Sequence, residues 1–151
     1  MKTSRILAPL AVAVAVAAAA PTAGATRIGN QGCSPGFWKN HTSAWQEYKP
    51  SDKVSSLFPG TPNPFGNETL LTALGGGGGS GYDGALKILL RAGTASFLNA
   101  ASENVAYPYR RYAAPGSLYT QITGAIASHD RARMLALASW LDTANNLGCP
   151  S

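Results

Sequence analysis

Apolar residues in the second half of the chain recur at helical spacing. Leu86, Leu89, Leu90, Gly93, Phe97, Leu98 and Ala101 share one broad face, while Lys87 and Arg91 stand four apart on the other. The pattern predicts a central core helix over residues 83–101, capped by Asp83. Gly93 inside it costs about 1 kcal/mol against alanine, which points to close contact with a second helix. Leu118, Ile122, Ala125 and Ile126 repeat the spacing behind Ser117, a good cap. Met134, Leu135, Leu137, Ala138, Leu141 and Ala144 do so behind Asp130 or Ser128, with Gly148 as the C′ stop.

Upstream the helical signals are shorter. Ser34 is placed to cap a first helix with Pro35 at its first position, where the missing N–H costs nothing. That helix runs to His41, or on to Glu47 before Pro50, and Thr42 or Ser43 can restart it. Asn67 is expected to cap a short helix over 68–74 that stops at Gly75. Between them Pro59, Gly60, Pro62, Pro64 and Gly66 exclude a long helix and a central strand, leaving an irregular connection anchored by Val54, Leu57, Phe58 and Phe65. No segment alternates with period two. The expected fold is therefore all-α, a small bundle of about five helices with one long Pro/Gly-rich irregular connection.

Residues 75–81 are glycine apart from Ser80, which reads as a mobile loop, because a domain boundary there leaves two halves too small for separate cores. Gly76, Gly78 and Gly81 satisfy a dinucleotide-binding pattern only because polyglycine satisfies it for free, without the flanking strand and helix. The esterase-like motif around Ser80 fails at Tyr82.

The start of the chain reads as an address. Lys2 and Arg5 precede an apolar run over 6–20, and Ala23-Gly24-Ala25 is a small-x-small cleavage site. Residues 1–25 are thus a signal peptide, and 26–151 a single extracellular all-α domain. The competing reading is a retained membrane anchor, against which the run is short of the roughly twenty residues needed to span a bilayer. Losing Lys2 and Arg5 lowers the formal charge from +5 to +3. No basic run exceeds Arg110-Arg111, so nucleic acid is not an expected partner. The two cysteines, Cys33 and Cys149, lie near the ends of the mature chain. In an oxidising compartment they are expected to form one disulfide, since they lack zinc-site spacing and are not a CxxC pair.

Cys33-Ser34-Pro35-Gly36-Phe37-Trp38-Lys39-Asn40-His41 resembles the C-[ST]-P-G-[FY]-W-K-N-H opening of a family of secreted microbial domains. Residues 85–101 and Val105-Ala106-Tyr107-Pro108 look like that family's second block, so the similarity spans most of the mature chain. The family has no settled activity, and the resemblance implies an extracellular domain. Thr42-Ser43 departs from the proline found in many members, which leaves the end of the first helix open.

Candidate chemistry gathers on the same stretch. If it is helical throughout, Trp38, His41, Trp45 and Tyr48 fall on one face. With Lys39, Asn40, Tyr107 and Arg110 they are candidates for a ligand-binding surface, rings offering flat apolar faces with a polar handle. The competing reading is that both tryptophans fill the core. His41 is a candidate general base or metal ligand, joined by Glu47, His129 or Asp130. The alternative is a structural histidine bonded to a backbone carbonyl. No HxxxH spacing is present, and neither a metal nor another cofactor is expected. The seven acidic residues include several expected caps, which argues against a glycosidase pair. Sequons occur at Asn40-His41-Thr42 and Asn67-Glu68-Thr69. The function expected is an exported module binding a cell-surface glycan or protein, with a small hydrolase or metal-dependent enzyme centred on His41 as the alternative.

Overall fold

The computed structural model describes residues 29–112 and 115–151; the expected signal peptide and the first residues of the mature arm lie outside them. Six helices follow in order: α1 (Pro35–Asn40), α2 (Val54–Leu57), α3 (Leu70–Leu74), α4 (Gly81–Ala101), α5 (Leu118–Ala127) and α6 (Arg131–Asn145). No strand occurs among the described residues, and the fold is all-α. None of these helices is long and apolar enough to cross a membrane.

α4 is the axis. Its residues 92–99 are all buried, because α6, α3, α1 and α5 pack around it. At Gly93 an added Cβ would meet Ile122 Cδ1 of α5 at 3.0 Å and Phe58 Cζ at 3.4 Å, so the glycine does admit a close helix crossing. The Pro/Gly-rich connection delivers Val54, Leu57, Phe58 and Phe65 to the core, all buried as expected. Phe58 meets Phe97 of α4 edge to face at 5.0 Å.

Several helix ends differ from the sequence expectation for local physical reasons. Ser34 Oγ does accept the Phe37 N–H at 3.2 Å, and α1 stops at His41. Thr42–Ala44 is a separate 3-10 turn. α3 is capped by Thr69, whose Oγ1 accepts the Thr72 N–H at 3.1 Å, rather than by Asn67. A bridge between Lys53 and Thr69, with the Val54 N–H on Glu68 O at 2.9 Å, ties this stretch to the start of α2 and delays the helix. α4 begins at Gly81 with Ser80 at the cap position. Asp83 therefore sits in the first turn, where its charge suits the helix dipole, and does not cap. Gly84 allows this start: a Cβ there would stand 2.0 Å from the carbonyl oxygen of Gly79, so the glycine run folds back onto the helix. Asp130 caps α6, Oδ1 accepting from the Ala132 and Arg133 N–H groups at 2.8 and 3.3 Å.

The two ends of the domain are fastened together. Cys33 and Cys149 form a disulfide across a sequence separation of 116. Beside it Gly32 and Gly148 exchange backbone hydrogen bonds of 3.0 and 3.2 Å. α6 ends at Asn145 with Asn146 as its C-cap. Gly148 therefore is not the C′ stop; at φ 117° it turns the chain into the bridge.

A buried polar network locks these ends to α4. Asn99 and Asn145 are both 0% exposed. Asn99 Oδ1 accepts the Cys33 N–H at 2.7 Å and the Trp38 indole N–H at 3.1 Å, while Nδ2 donates to Cys33 O at 2.8 Å and Asn145 Oδ1 at 3.0 Å. Asn145 Nδ2 donates to Ala92 O at 3.0 Å, and its Oδ1 also accepts the Tyr107 hydroxyl at 2.8 Å. Both amides thus use both ends, which is what burial demands.

Candidate functional site

The leading segment splits its residues between core and surface. Trp38 is 1% exposed and belongs to the core. Because α1 stops at His41, Trp38, His41, Trp45 and Tyr48 do not form a single helical face. Trp45 is half-buried, its indole N–H donating to Trp38 O at 2.9 Å. Lys39, Asn40 and His41 are exposed. The amide of Asn40 donates back to Gly36 O at 2.9 Å. His41 Nδ1 lies 2.8 Å from Phe37 O, and since a carbonyl only accepts, that nitrogen carries the proton. Its ring stacks on Phe37 with centroids 4.2 Å apart.

The groups named as partners for His41 are engaged elsewhere. His129 stacks on Tyr82 at 5.4 Å with φ 53°, and Asp130 is the cap of α6. Glu47 takes both guanidinium nitrogens of Arg111, at 2.6 and 2.9 Å. No group of three or more His, Cys, Asp or Glu able to hold a metal ion converges among the described residues.

Glu47 and Arg111 form a clasp between the leading segment and the tyrosine-rich passage. Glu47 adopts φ 65°, a left-handed conformation that costs a non-glycine residue energy and turns its carboxylate toward the guanidinium. Arg111 Nη1 also donates to the Tyr48 hydroxyl at 2.7 Å, and the guanidinium lies 5.5 Å from the Tyr48 ring and 5.6 Å from the Tyr112 ring. The hydrogen bonds from Arg111 hold the Glu47 carboxyl below the usual carboxylate range. Burial, then the contact with Tyr112, pushes the Tyr48 phenol up to about 12 against the opposing pull of Arg111. For Arg111 burial alone would lower the pKa; the bonds to Glu47 and Tyr48 outweigh it and raise the pKa.

Two open grooves flank this region. The first, about 460 Å³, is lined by Ala100, Val105, Ala106, Tyr107, Tyr109, Arg110, Arg111 and Tyr112. The second, about 360 Å³, is lined by Gln121 of α5 with Arg133, Ala136, Leu137 and Trp140 of α6. Tyr109 lines one and Trp140 the other, and their rings meet with centroids 4.1 Å apart. Tyr112 is 61% exposed and Trp140 36%. Arg110 and Arg133 are exposed and have no ion-pair partner among the described residues.

Of the residues expected to meet ligand, Arg110 lines a groove and is exposed. Tyr107 lines the same groove while only 2% exposed, its hydroxyl committed to Asn145. Tyr48 sits beside it through Arg111 and Tyr112. Trp140 escaped the sequence reading, although Arg133, Ala136, Leu137 and Trp140 recur at i, i+3, i+4 and i+7, a second face of α6 beside the Met134/Ala138/Leu141 core face. Chemically the arrangement offers flat rings and guanidinium donors, and among the described residues that line the grooves no nucleophile is held by a base. Comparison of the chain with protein-family models, with curated proteins and with solved structures gives no significant match.

Proposed function

We propose that the protein is an exported binding module that holds an extracellular glycan against the ring surface formed by Tyr109, Tyr112 and Trp140. The observation that carries this reading is the Tyr109–Trp140 ring pair, 4.1 Å between centroids, with one ring lining each open groove. Sugar rings have an apolar face and a hydroxyl-bearing edge, and tyrosine or tryptophan beside polar donors matches both. The disulfide supports export, since such bonds persist in oxidising compartments. The opening motif supports placing the domain with the secreted family it resembles. Against catalysis stand the dispersal of His41, Glu47 and His129 and their separate partners.

A glycan array probed with the native chain and with Trp140→Ala tests the proposal. Native binding that falls roughly tenfold on loss of the ring is expected. Trp45→Ala serves as a packing control: it lowers stability and leaves the glycan preference unchanged. A native chain that binds no glycan overturns the reading.

A further inference from the structure

Building on that glycan-binding reading, we propose that the ligand is an acidic polysaccharide of the uronate type, laid over the Tyr109–Trp140 pair with carboxylates reaching Arg110 on one side and Arg133 on the other. Each groove brings one exposed guanidinium that no carboxylate of the protein neutralises among the described residues. The contrast with Arg111 is informative. That arginine lines the same groove as Arg110 but is already bound through both terminal nitrogens to Glu47. It therefore anchors the groove wall and leaves the binding charge to its neighbour. No acidic residue lines either groove; the nearby Glu47 carboxylate is already paired with Arg111.

The density of charge selects the class of anion. A guanidinium pairs with a planar carboxylate through two parallel N–H···O bonds. One free guanidinium per groove suits a chain carrying one carboxylate per sugar, whereas a densely sulfated chain or a nucleic acid calls for clustered cations. A Cβ added at Gly124 of α5 would lie 3.3 Å from Arg133 Nη2, so the guanidinium lies beside that helix at a small-residue gap.

The full exported chain, disulfide intact, is to be titrated with polygalacturonate and with the same polymer fully methyl-esterified, which keeps the backbone and removes the charge. Binding to the acid form at least tenfold tighter than to the ester is expected, with affinity falling as salt is raised. Arg110→Gln and Arg133→Gln, both at exposed positions, should each weaken acid-form binding roughly fivefold, and weaken ester binding less than that. Trp140→Ala should weaken both forms. Equal binding of acid and ester, or wild-type affinity in the double arginine variant, overturns the acidic-ligand inference and leaves glycan binding standing. Binding to neither form, nor to cellulose, xylan or chitin fragments, overturns both. Single-stranded DNA bound as tightly as polygalacturonate, with Trp140→Ala without effect, marks bare polyanion adsorption and also overturns it.

Discussion

Replacing Asn99 by alanine removes the two atoms that tie the leading segment to α4. Three groups lose their side-chain partner: the Cys33 N–H, the Cys33 carbonyl and the Trp38 indole N–H, formerly bonded at 2.7, 2.8 and 3.1 Å. Asn145 Oδ1 is spared, because it keeps the Tyr107 hydroxyl at 2.8 Å. Cys33 and Trp38 are each 1% exposed, so water does not reach the three groups without movement of the core. At about 1–3 kcal/mol for each buried group left unpaired, the sum is roughly 3–9 kcal/mol. A water molecule entering the vacated space would satisfy part of it, which puts the expected loss near the lower end, about 4 kcal/mol.

That is a large share of the roughly 5–15 kcal/mol by which a domain is stable. Urea unfolding followed by tryptophan fluorescence, with the disulfide intact, should show the midpoint falling by about 2 M for a slope of about 2 kcal/mol/M. Asn99→Asp keeps the acceptor but loses both donors and buries a charge. It should also be destabilised at neutral pH, and should recover part of the loss as acid protonates it. A midpoint shift under about 0.5 M for the alanine variant would refute the claim that this amide holds the segment.

Three further outcomes test other parts of the fold. Cys33→Ser with Cys149→Ser should cost about 4–5 kcal/mol in the chain-entropy account of a closed loop with a sequence separation of 116; thermal melts that move as though under 1 kcal/mol were lost would contradict it. Gly32→Ala brings a Cβ within 2.0 Å of Ala144 O, a backbone atom, and should lose about 1–3 kcal/mol. Gly93→Ala meets only side-chain ends and gains about 1 kcal/mol of helix propensity, so it should stay within about 1 kcal/mol of the native chain, and the opposite ranking in urea melts would refute the packing argument. Burial first, then the Tyr112 contact, raises Tyr48 to about 12, and burial also raises Tyr107. A raised folded pKa gives stability that is complete below the unfolded value of about 10 and is lost as pH rises through the folded one. The Tyr48 and Tyr107 phenolates should therefore appear in step with alkaline unfolding, and their ionisation well before unfolding would be the contrary result.

The long helices were legible because their apolar spacing reports the packing directly: Leu86, Leu89, Leu90, Phe97 and Leu98 are all buried on α4. The disulfide was legible because two cysteines allow one pairing. The end of α1 was not, since tertiary and non-helical bonds decide it. A continuing helix would have given Trp38 O the N–H of residue 42. That oxygen instead receives the His41 N–H at 3.4 Å and the Trp45 indole at 2.9 Å. Composition can count rings but does not say which face inward, and Trp38 and Trp45 divide on that point. The Glu47–Arg111 clasp joins residues 64 apart in sequence, a pairing that no local pattern encodes. The contact of Trp140 with Tyr109 joins α6 to the tyrosine passage, another pairing that no local pattern encodes.

The buried amides and the exposed rings are parts of one construction. Asn145 fixes the Tyr107 hydroxyl at 2.8 Å inside the core. The Tyr107 ring meets Tyr109 edge to face at 5.8 Å, and Tyr109 in turn lies on Trp140 of α6, the same helix that carries Asn145. The passage from 105 to 112 has no helix or strand of its own to stiffen it. Its position is set by that chain of contacts at one end and by the bidentate Arg111–Glu47 pair at the other. A recognition surface on irregular backbone is precise only when its supports are themselves locked. Here the support is the same asparagine pair that secures the disulfide end to α4. In the proposed glycan-binding reading, Asn99 and Asn145 therefore act on the ring surface through the contacts that position it.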